Sequence, residues 1–347
     1  MSDATRPSPP PEAAAVQLLY QLATGYMISS SLQVVLQLGI ADKLASGPRT
    51  AAELAQAAGA NEDALFRVLR ALASVGVFEE QAPRQFALTL AGQFLRADHP
   101  ATVRPMGLWI SSPFHFRVYS NMMHAVRTGK PAVKETVGAP VFEYFTRDHE
   151  LSEIFNDAMT NFSASIAPAV LKSYDFAGVN VLVDIAGGHG ETLMSILRQY
   201  PTMRGILFDL EHVVAGASKR IEALGLKDRC QTASGDFFKA VPGGGDMYIL
   251  QHIIHDWDDD EAAAILKSIR TALEGKRNGR VLLIETVLQP GNEPDLGKLI
   301  DLEMLVLPGG RERTADEFGR LFARAGFELT RIVPTPSMGC LIEASPR

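Results

Sequence analysis

Two imidazoles and a run of acids crowd one short stretch of this chain, Gln251-His252-Ile253-Ile254-His255-Asp256-Trp257-Asp258-Asp259. Histidine is the side chain whose charge changes near neutral pH, so such a stretch suits proton transfer. The H-x-x-H spacing would also suit a metal, with the neighbouring acids as oxygen ligands. Asp258, Asp259, Asp260 and Glu261 read better as the acidic first turn of a helix over 259–274, where carboxylates meet the positive end of the helix dipole. No metal is expected. Two distant carboxylates complete the candidate set. Glu285 ends the apolar run Arg280-Val-Leu-Leu-Ile-Glu285 and needs a partner if that run is buried. Glu312 lies in Pro308-Gly-Gly-Arg-Glu-Arg-Thr314. A carboxylate beside an imidazole fixes its tautomer and stabilises the cation formed on proton uptake.

A second group of residues suits binding. Val183-Asp-Ile-Ala-Gly187-Gly188-His189-Gly190-Glu-Thr192 reads as a strand, a glycine turn and a helix start, where a ligand can approach the backbone closely. A dinucleotide fingerprint needs a third small residue, and Leu193 stands there instead, which argues against NAD. Asp209 follows Asp184 by 25 residues at the end of the next apolar run, where an acid can accept hydrogen bonds from ribose hydroxyls. Gly235-Asp236-Phe237-Phe238 offers a carboxylate and a ring face for an adenine. Three such features on successive strand ends point to an adenosine-bearing ligand at the carboxyl edge of a sheet.

The elements that must hold these residues change character near position 176. Before it the chain reads as helices. Ala13 to Leu38 predicts two helices with Gly25 near their junction, followed by Thr50 to Gly59 with a Thr50/Glu53 capping box, and by Asn61 to Gly76. A short hairpin at 77–88 then gives a winged-helix pattern. Residues 100–175 are rich in aromatics and methionine, a composition that suits a core and also the wall of a pocket for a flat apolar ligand. From about 178, strands near 179–185, 205–210, 229–233, 246–250 and 280–285 alternate with helices, predicting a parallel sheet covered on both faces. The last two strands, 327–334 and 339–343, have no helix between them, so the final one is expected to be antiparallel.

Bulk properties narrow the classes. Hydrophobic residues make up 46% of the 347, enough for a real core, and the net charge of −7 disfavours nucleic acid and anionic membrane as general partners. The expected recognition helix, 62–74, begins with Glu62 and Asp63, which would repel phosphates. Cys230 and Cys340 make no disulfide framework and no zinc site, so a cytoplasmic setting is expected, with both cysteines as packing residues.

Five blocks, V-D-I-A-G-G-H-G, F-D-L, G-D-F-F, H-D-W-D-D and P-G-G-R-E-R-T, fall in an order that resembles the S-adenosylmethionine-dependent O-methyltransferases of the plant caffeate/catechol type and their bacterial relatives in secondary metabolism. The resemblance runs from about 15 to 345. It implies an α/β fold: a Rossmann-like class I methyltransferase sheet, mostly parallel with an antiparallel last strand, preceded by a mainly helical winged-helix dimerisation domain. The implied division is a disordered leader over 1–11, the dimerisation domain over 12–100, a helical linker and acceptor-pocket segment over 101–175, and the S-adenosyl-L-methionine-binding domain over 176–347. It further implies a homodimer.

By position, the resemblance places Gly187, Gly188 and Gly190 under the methionine part of the cofactor, Asp209 on the ribose, and Asp236 and Phe237 at the adenine. His255 is the implied general base, flanked by Glu285 and Glu312, with Asp256 beside the substrate. Phe155, Met159 and Phe162 match acceptor-facing positions, and Ser163 one near the cofactor. Three residues depart from the pattern. Ala186 replaces the first glycine of the turn, which is sterically mild if its φ is negative. Gln251, a cofactor-side residue, stands where plant members often carry Lys. Leu307 replaces a polar residue, so plant acceptors are not transferred. Methyl transfer to a hydroxyl of a small aromatic or polyketide-like acceptor is the leading expectation. Methylation of nitrogen or carbon, and non-methylating chemistry such as hydroxylation or decarboxylation on the same cofactor, stay open. Outside the family, a winged-helix regulator that senses a nucleotide-like ligand is the competing class.

Overall fold

The computed structural model describes residues 10–276 and 278–347. Most of the expected leader, residues 1–9, lies outside the described residues. The chain divides into two compact units, one up to His115 and one from Phe116 to Arg347.

The first unit opens with a single unbroken helix, Pro11–Gln37, rather than two. Gly25 sits inside it, because one glycine costs a helix only about 1 kcal/mol and nothing nearby ends it. The helix buries only Val35 and Leu36, while Leu18, Leu19, Leu22, Tyr26 and Met27 stand exposed. The winged-helix pattern is present. It comprises β1 (Arg49–Thr50), helices Ala51–Ala58 and Glu62–Ala73, and the hairpin β2 (Phe78–Ala82) and β3 (Gln85–Leu88), in the sheet order β1-β3-β2. Thr50 and Glu53 form the expected capping box, Gly59 takes a left-handed φ of 64°, and Asn61 accepts from the Ala64 amide at 3.0 Å. Leu54, Leu69, Leu72, Phe78 and Phe86 form this unit's core. Arg84 in the hairpin pairs with Glu62 at 3.0 Å.

The second unit is built on a seven-stranded sheet. Its strands are β4 (Val181–Ile185), β5 (Arg204–Asp209), β6 (Cys230–Ser234), β7 (Met247–Gln251), β8 (Arg280–Glu285), β11 (Phe327–Pro334) and β12 (Cys340–Pro346). They lie in the order β11-β12-β8-β7-β4-β5-β6. Strands β4 to β8 pair in parallel, and β12 runs antiparallel to both of its neighbours, as expected. Apolar clusters cover both faces, one around Leu182, Leu193 and Met247, the other around Tyr248, Ile265 and Phe318. The strand order reverses between β4 and β7, which opens a crevice at the carboxyl ends of the strands, the place where α/β sheets take ligands. Asp209, Gln251 and Glu285 end their strands at that edge.

Two features were not expected from the sequence. Helix Leu296–Val306 follows the sheet's fifth strand. A two-residue strand, β9 (Val287–Leu288), pairs in parallel with β10 (Arg313–Thr314), Arg313 opposite Val287. That short pair brings the 308–314 loop back beside the end of β8.

Candidate active site

The end of β7 builds the centre. Gln251 lies opposite Ile284, and His252 donates its amide to the Ile284 carbonyl at 3.0 Å, so His252 arrives beside Glu285. The chain then turns sharply. His252 holds a left-handed φ of 52°, and a 3-10 turn over Ile254–Asp256 follows. A histidine tolerates that φ better than a branched residue, and backbone strain of this kind collects at functional sites. Glu285 clamps the turn from β8: its Oε1 accepts the amides of Ile253 and Ile254 at 3.0 and 2.8 Å.

His255 is buried at this turn, its Nδ1 2.7 Å from Oε1 of Glu312 and 3.6 Å from Oε2 of Glu285. Asp256 Oδ1 lies 3.7 Å from the other ring nitrogen, Nε2. The structure therefore unites His255, Asp256, Glu285 and Glu312 in one cluster. Glu312 is itself fixed, because its amide donates to Asp301 at 2.8 Å on the unexpected helix.

Burial alone would pull the His255 pKa down. The Glu285 charge, the hydrogen bond to Glu312 and the Asp256 charge outweigh it and push the imidazole up to about 10. Burial pushes Glu285 and Asp256 upward, and the His255 cation opposes that shift. His252 goes the other way, down to about 3, from burial and then from the neighbouring His255 charge.

Sequence reasoning missed two residues that hold this turn. Gly310 packs so closely that a Cβ there would lie 2.0 Å from the His255 carbonyl oxygen, and the next amide, Arg311, donates to that oxygen at 2.8 Å. Arg313, 1% exposed, donates to the carbonyls of Ile254 (3.0 Å) and Trp257 (2.9 Å) and pairs with Asp259 at 2.9 Å. The acidic run is thus not wholly solvated: Asp258 caps its helix, but Asp259 is committed to Arg313. A buried arginine in a loop of glycines and charges carries no periodic signal.

The binding residues lie along the same edge. Gly187 has no room for a side chain, since a Cβ would meet the Asp184 carboxyl at 2.5 Å and Leu207 at 2.6 Å. Gly188, with φ 58°, has open space where a Cβ would point and donates its amide to Asp209 Oδ2 at 2.8 Å. Gly190, φ 78°, starts helix Glu191–Gln199. Asp209 also accepts the Leu210 amide at 2.7 Å, and burial raises its pKa. Gln251 bridges two elements: it donates to Ser163 at 3.1 Å and accepts from the Thr192 hydroxyl. Asp236 accepts the Phe238 amide at 3.0 Å and faces Lys239, and the Phe237 ring packs edge-on to Trp257. An open glycine backbone beside a largely buried acid that, among the described residues, faces no Lys or Arg within ion-pair reach fits the polar part of a nucleoside ligand.

Ala186 carries a φ of 54°, so the condition of a negative φ is not met, and the turn holds a non-glycine residue in the left-handed region. Phe155, Met159 and Phe162 recur at helical spacing on helix His149–Ser173. Phe162 meets His252 at 5.0 Å between ring centroids, whereas Phe155 stacks on Phe145 at 4.8 Å, further along the helix. Leu307 is buried.

A reversed final strand in this seven-stranded order, with a glycine turn and an acid on the next strand, defines a class I methyltransferase that takes its methyl group from S-adenosylmethionine. A model of the O-methyltransferase domain matches residues 119–328, one of the O-methyltransferase dimerisation domain matches residues 20–98, and the chain belongs to that family of enzymes. It is 43% identical over 329 residues to the phenazine O-methyltransferase PhzM of Lysobacter antibioticus, covering 95% of this chain and 96% of that protein. It is 35% identical over 342 residues to the 8-amino-8-demethylriboflavin N,N-dimethyltransferase of Streptomyces davaonensis, covering 97% and 98%. The solved structure of CalO1, a methyltransferase in calicheamicin biosynthesis in its SAH-bound form, superposes with a TM-score of 0.86 at 34% identity, covering 98% of this chain and all of that one. Among the described residues no helix is long and apolar enough to cross a membrane.

Proposed function

We propose that this enzyme methylates a hydroxyl on a small, flat aromatic or polyketide-like acceptor, with His255 as general base. The observation that carries the reading is the buried His255–Glu312 hydrogen bond, with Glu285 beside it. When bound, S-adenosylmethionine supplies an electrophilic methyl on a sulfonium. Gly187, Gly188 and Gly190 with Asp209 would hold its polar parts, Asp236 and Phe237 its adenine, and Gln251 and Ser163 would line its path toward the acceptor.

The chain's own work is to manage one proton. Glu312 holds Nδ1 of His255, which leaves Nε2 to face the acceptor hydroxyl beside Asp256. A phenol and this imidazole have matched pKa values, both near 10, so the proton passes between them with little driving force either way. Once on His255 it is stabilised by the same carboxylates that raise the ring. General-base assistance of this kind contributes roughly 10²–10⁴-fold, and alignment of the two reactants supplies the rest. Phe155, Met159 and Phe162 would form the apolar wall against the acceptor ring. The aromatic acceptor of the phenazine relative supports that class. The riboflavin-amine relative gives a second reading, N-methylation of an aryl amine in the same pocket.

The exposed apolar face of helix Pro11–Gln37 falls partly within the dimerisation match, which supports a homodimer. Two free cysteines, their thiols both pushed up by burial, support a cytoplasmic setting. The test is a screen of phenols, hydroxyquinones, polyketides and aryl amines with methyl-labelled cofactor, read by mass spectrometry. Label on oxygen is expected. Label confined to nitrogen or carbon, or no label with an altered acceptor, overturns the reading.

A further inference from the structure

The acid–base centre contains more ligand atoms than the proton transfer needs. His252 lies next to it, buried, with Nδ1 3.7 Å from Oε2 of Glu285. That same oxygen is 3.6 Å from Nδ1 of His255. One ligand atom from each of His252, His255 and Glu285 lies within 4.8 Å of the others. Glu285 Oε2 is completely buried and has no hydrogen-bond partner, although it faces both rings. Glu312 Oε2 is likewise buried and unpartnered. A buried carboxylate oxygen without a donor is costly, and the His255 ring leaves both of these atoms without a hydrogen bond, so they have capacity for a further ligand.

Size decides what kind. The unpartnered oxygens are closed to solvent, so a bulky ligand does not reach them. Two donors bound at about 2.0–2.2 Å to one tetrahedral ion stand about 3.4 Å apart. The 3.6 and 3.7 Å separations from Glu285 Oε2 need to close by a few tenths of an ångström, and the two ring nitrogens, within 4.8 Å of each other, by up to about 1.4 Å. Two imidazoles and carboxylates suit zinc-like ions, whereas magnesium and calcium prefer all-oxygen shells. The backbone favours the grouping too: the left-handed φ at His252 turns the chain so that both rings bracket Glu285.

We infer that His252, His255 and Glu285 form a site for a dehydrated d-block divalent cation of the Zn²⁺ class, which Glu312, outside that trio as the structure stands, completes by moving in. The ion is an inhibitor, not a resident cofactor. It enters as the His255–Glu312 hydrogen bond opens, the proton of that bond leaves to solvent, and two carboxylates balance its two charges. His255 is then a ligand and no longer a base. Its role as base belongs to the reading above, but the metal site stands on the geometry alone, and the two fail separately.

The probe is Co²⁺ and then Zn²⁺ added to the full-length, metal-free protein. One equivalent of Co²⁺ should give the visible d–d absorption of a four-coordinate ion, without the near-ultraviolet thiolate band that Cys230 or Cys340 would produce. Zn²⁺ should displace it, abolish methyl transfer at stoichiometric concentration, and be reversed by a chelator. His252→Asn keeps a residue that tolerates a left-handed φ. It should weaken Zn²⁺ binding and inhibition by at least 10–100-fold while metal-free turnover stays within a few-fold of the parent. If that variant does not fold, the wild-type cobalt spectrum decides alone. A Co²⁺ band with unimpaired turnover would keep the site and sink His255 as base. Absence of the d–d band, a thiolate band in its place, or equal Zn²⁺ inhibition of His252→Asn overturns the site.

Discussion

Nδ1 of His255 and Oε1 of Glu312 stand 2.7 Å apart although 57 residues separate them in the chain. The contact exists because Arg313 pairs with Val287 in a two-residue parallel ladder, two positions beyond Glu285. Removing the ring should therefore remove turnover without touching the glycine turn. His255→Ala is expected to lower kcat by roughly 10²–10⁴-fold with cofactor affinity nearly unchanged by calorimetry. Full activity at neutral pH with the true acceptor would dismiss the ring as base.

The same pair sets the pH dependence. With His255 raised to about 10, the free centre holds its proton at neutral pH. A phenolic acceptor brings a second proton, and one of the two must leave before attack. Activity is therefore expected to rise with pH, kcat/KM climbing about tenfold per unit from roughly pH 6 to 9 for an acceptor of ordinary phenol acidity. Glu312→Gln removes a group that raises His255, so its rising limb should move to lower pH while its maximum falls. A flat profile in the parent, or a limb in Glu312→Gln that moves upward, would count against this arrangement.

Gly310 is required by distance rather than by its φ. A Cβ would lie 2.0, 2.3 and 2.5 Å from backbone atoms of His255, Asp256 and Trp257, none of which is the end of a flexible side chain. Gly310→Ala should push the Glu312 loop off the 3-10 turn. A stability loss of about 1–3 kcal/mol is expected, as for overpacked cores. Turnover should drop more than tenfold while cofactor binding survives, because the cradle around Gly188 is built from other strands. A chemical melt and a single-turnover assay on the same preparation would separate the two effects.

How much of this was legible depended on whether a residue's neighbours are set by period. Glu285 could be read as a buried acid in need of a partner, because four apolar residues precede it on a strand. Asp209 could be placed at a strand end for the same reason. Strands 280–285 and 327–334 match their expected bounds. The approach of Glu312 to His255 could not be read from periodicity, because it depends on a ladder of two residues, too short to leave an alternation. Arg313 and Gly310 share that loop and were invisible alike. Gly25 misled in the opposite sense, since a glycine in a long helical pattern marks a break only where something else ends the helix. The φ of Ala186 could not be read from its type, which favours the right-handed region.

That φ makes a prediction of its own. Left-handed strain costs an alanine about 1–2 kcal/mol, whereas a glycine loses about 0.5–1 kcal/mol more conformational freedom on folding. The strain is the larger, so Ala186→Gly should stabilise the protein slightly, by about 0.5–1 kcal/mol in urea unfolding. The Ala186 amide keeps its 2.7 Å hydrogen bond to the Phe208 carbonyl, so cofactor affinity should hold. A loss of stability would mean that the alanine methyl makes a contact worth more than the strain.

Asp184 supplies a stability test that needs no substrate. Its carboxyl is buried under the glycine turn, where burial first and the Asp209 charge second push its pKa up to about 8. An unfolded chain titrates the same group near 3.9. Between roughly pH 4 and 8 the folded protein therefore holds a proton that the unfolded one has lost, and stability falls as pH rises through that window. The contribution is fully present below the unfolded value and gone above the folded one. Asn has the same shape and no charge to bury, so Asp184→Asn should remove this component. Wild type and variant should differ little near pH 4, and the variant should be the more stable near pH 9 by about 1–3 kcal/mol. Parallel stability curves across that range would show that Asp184 is already ionised in the folded protein, held by donors of the turn rather than by a proton.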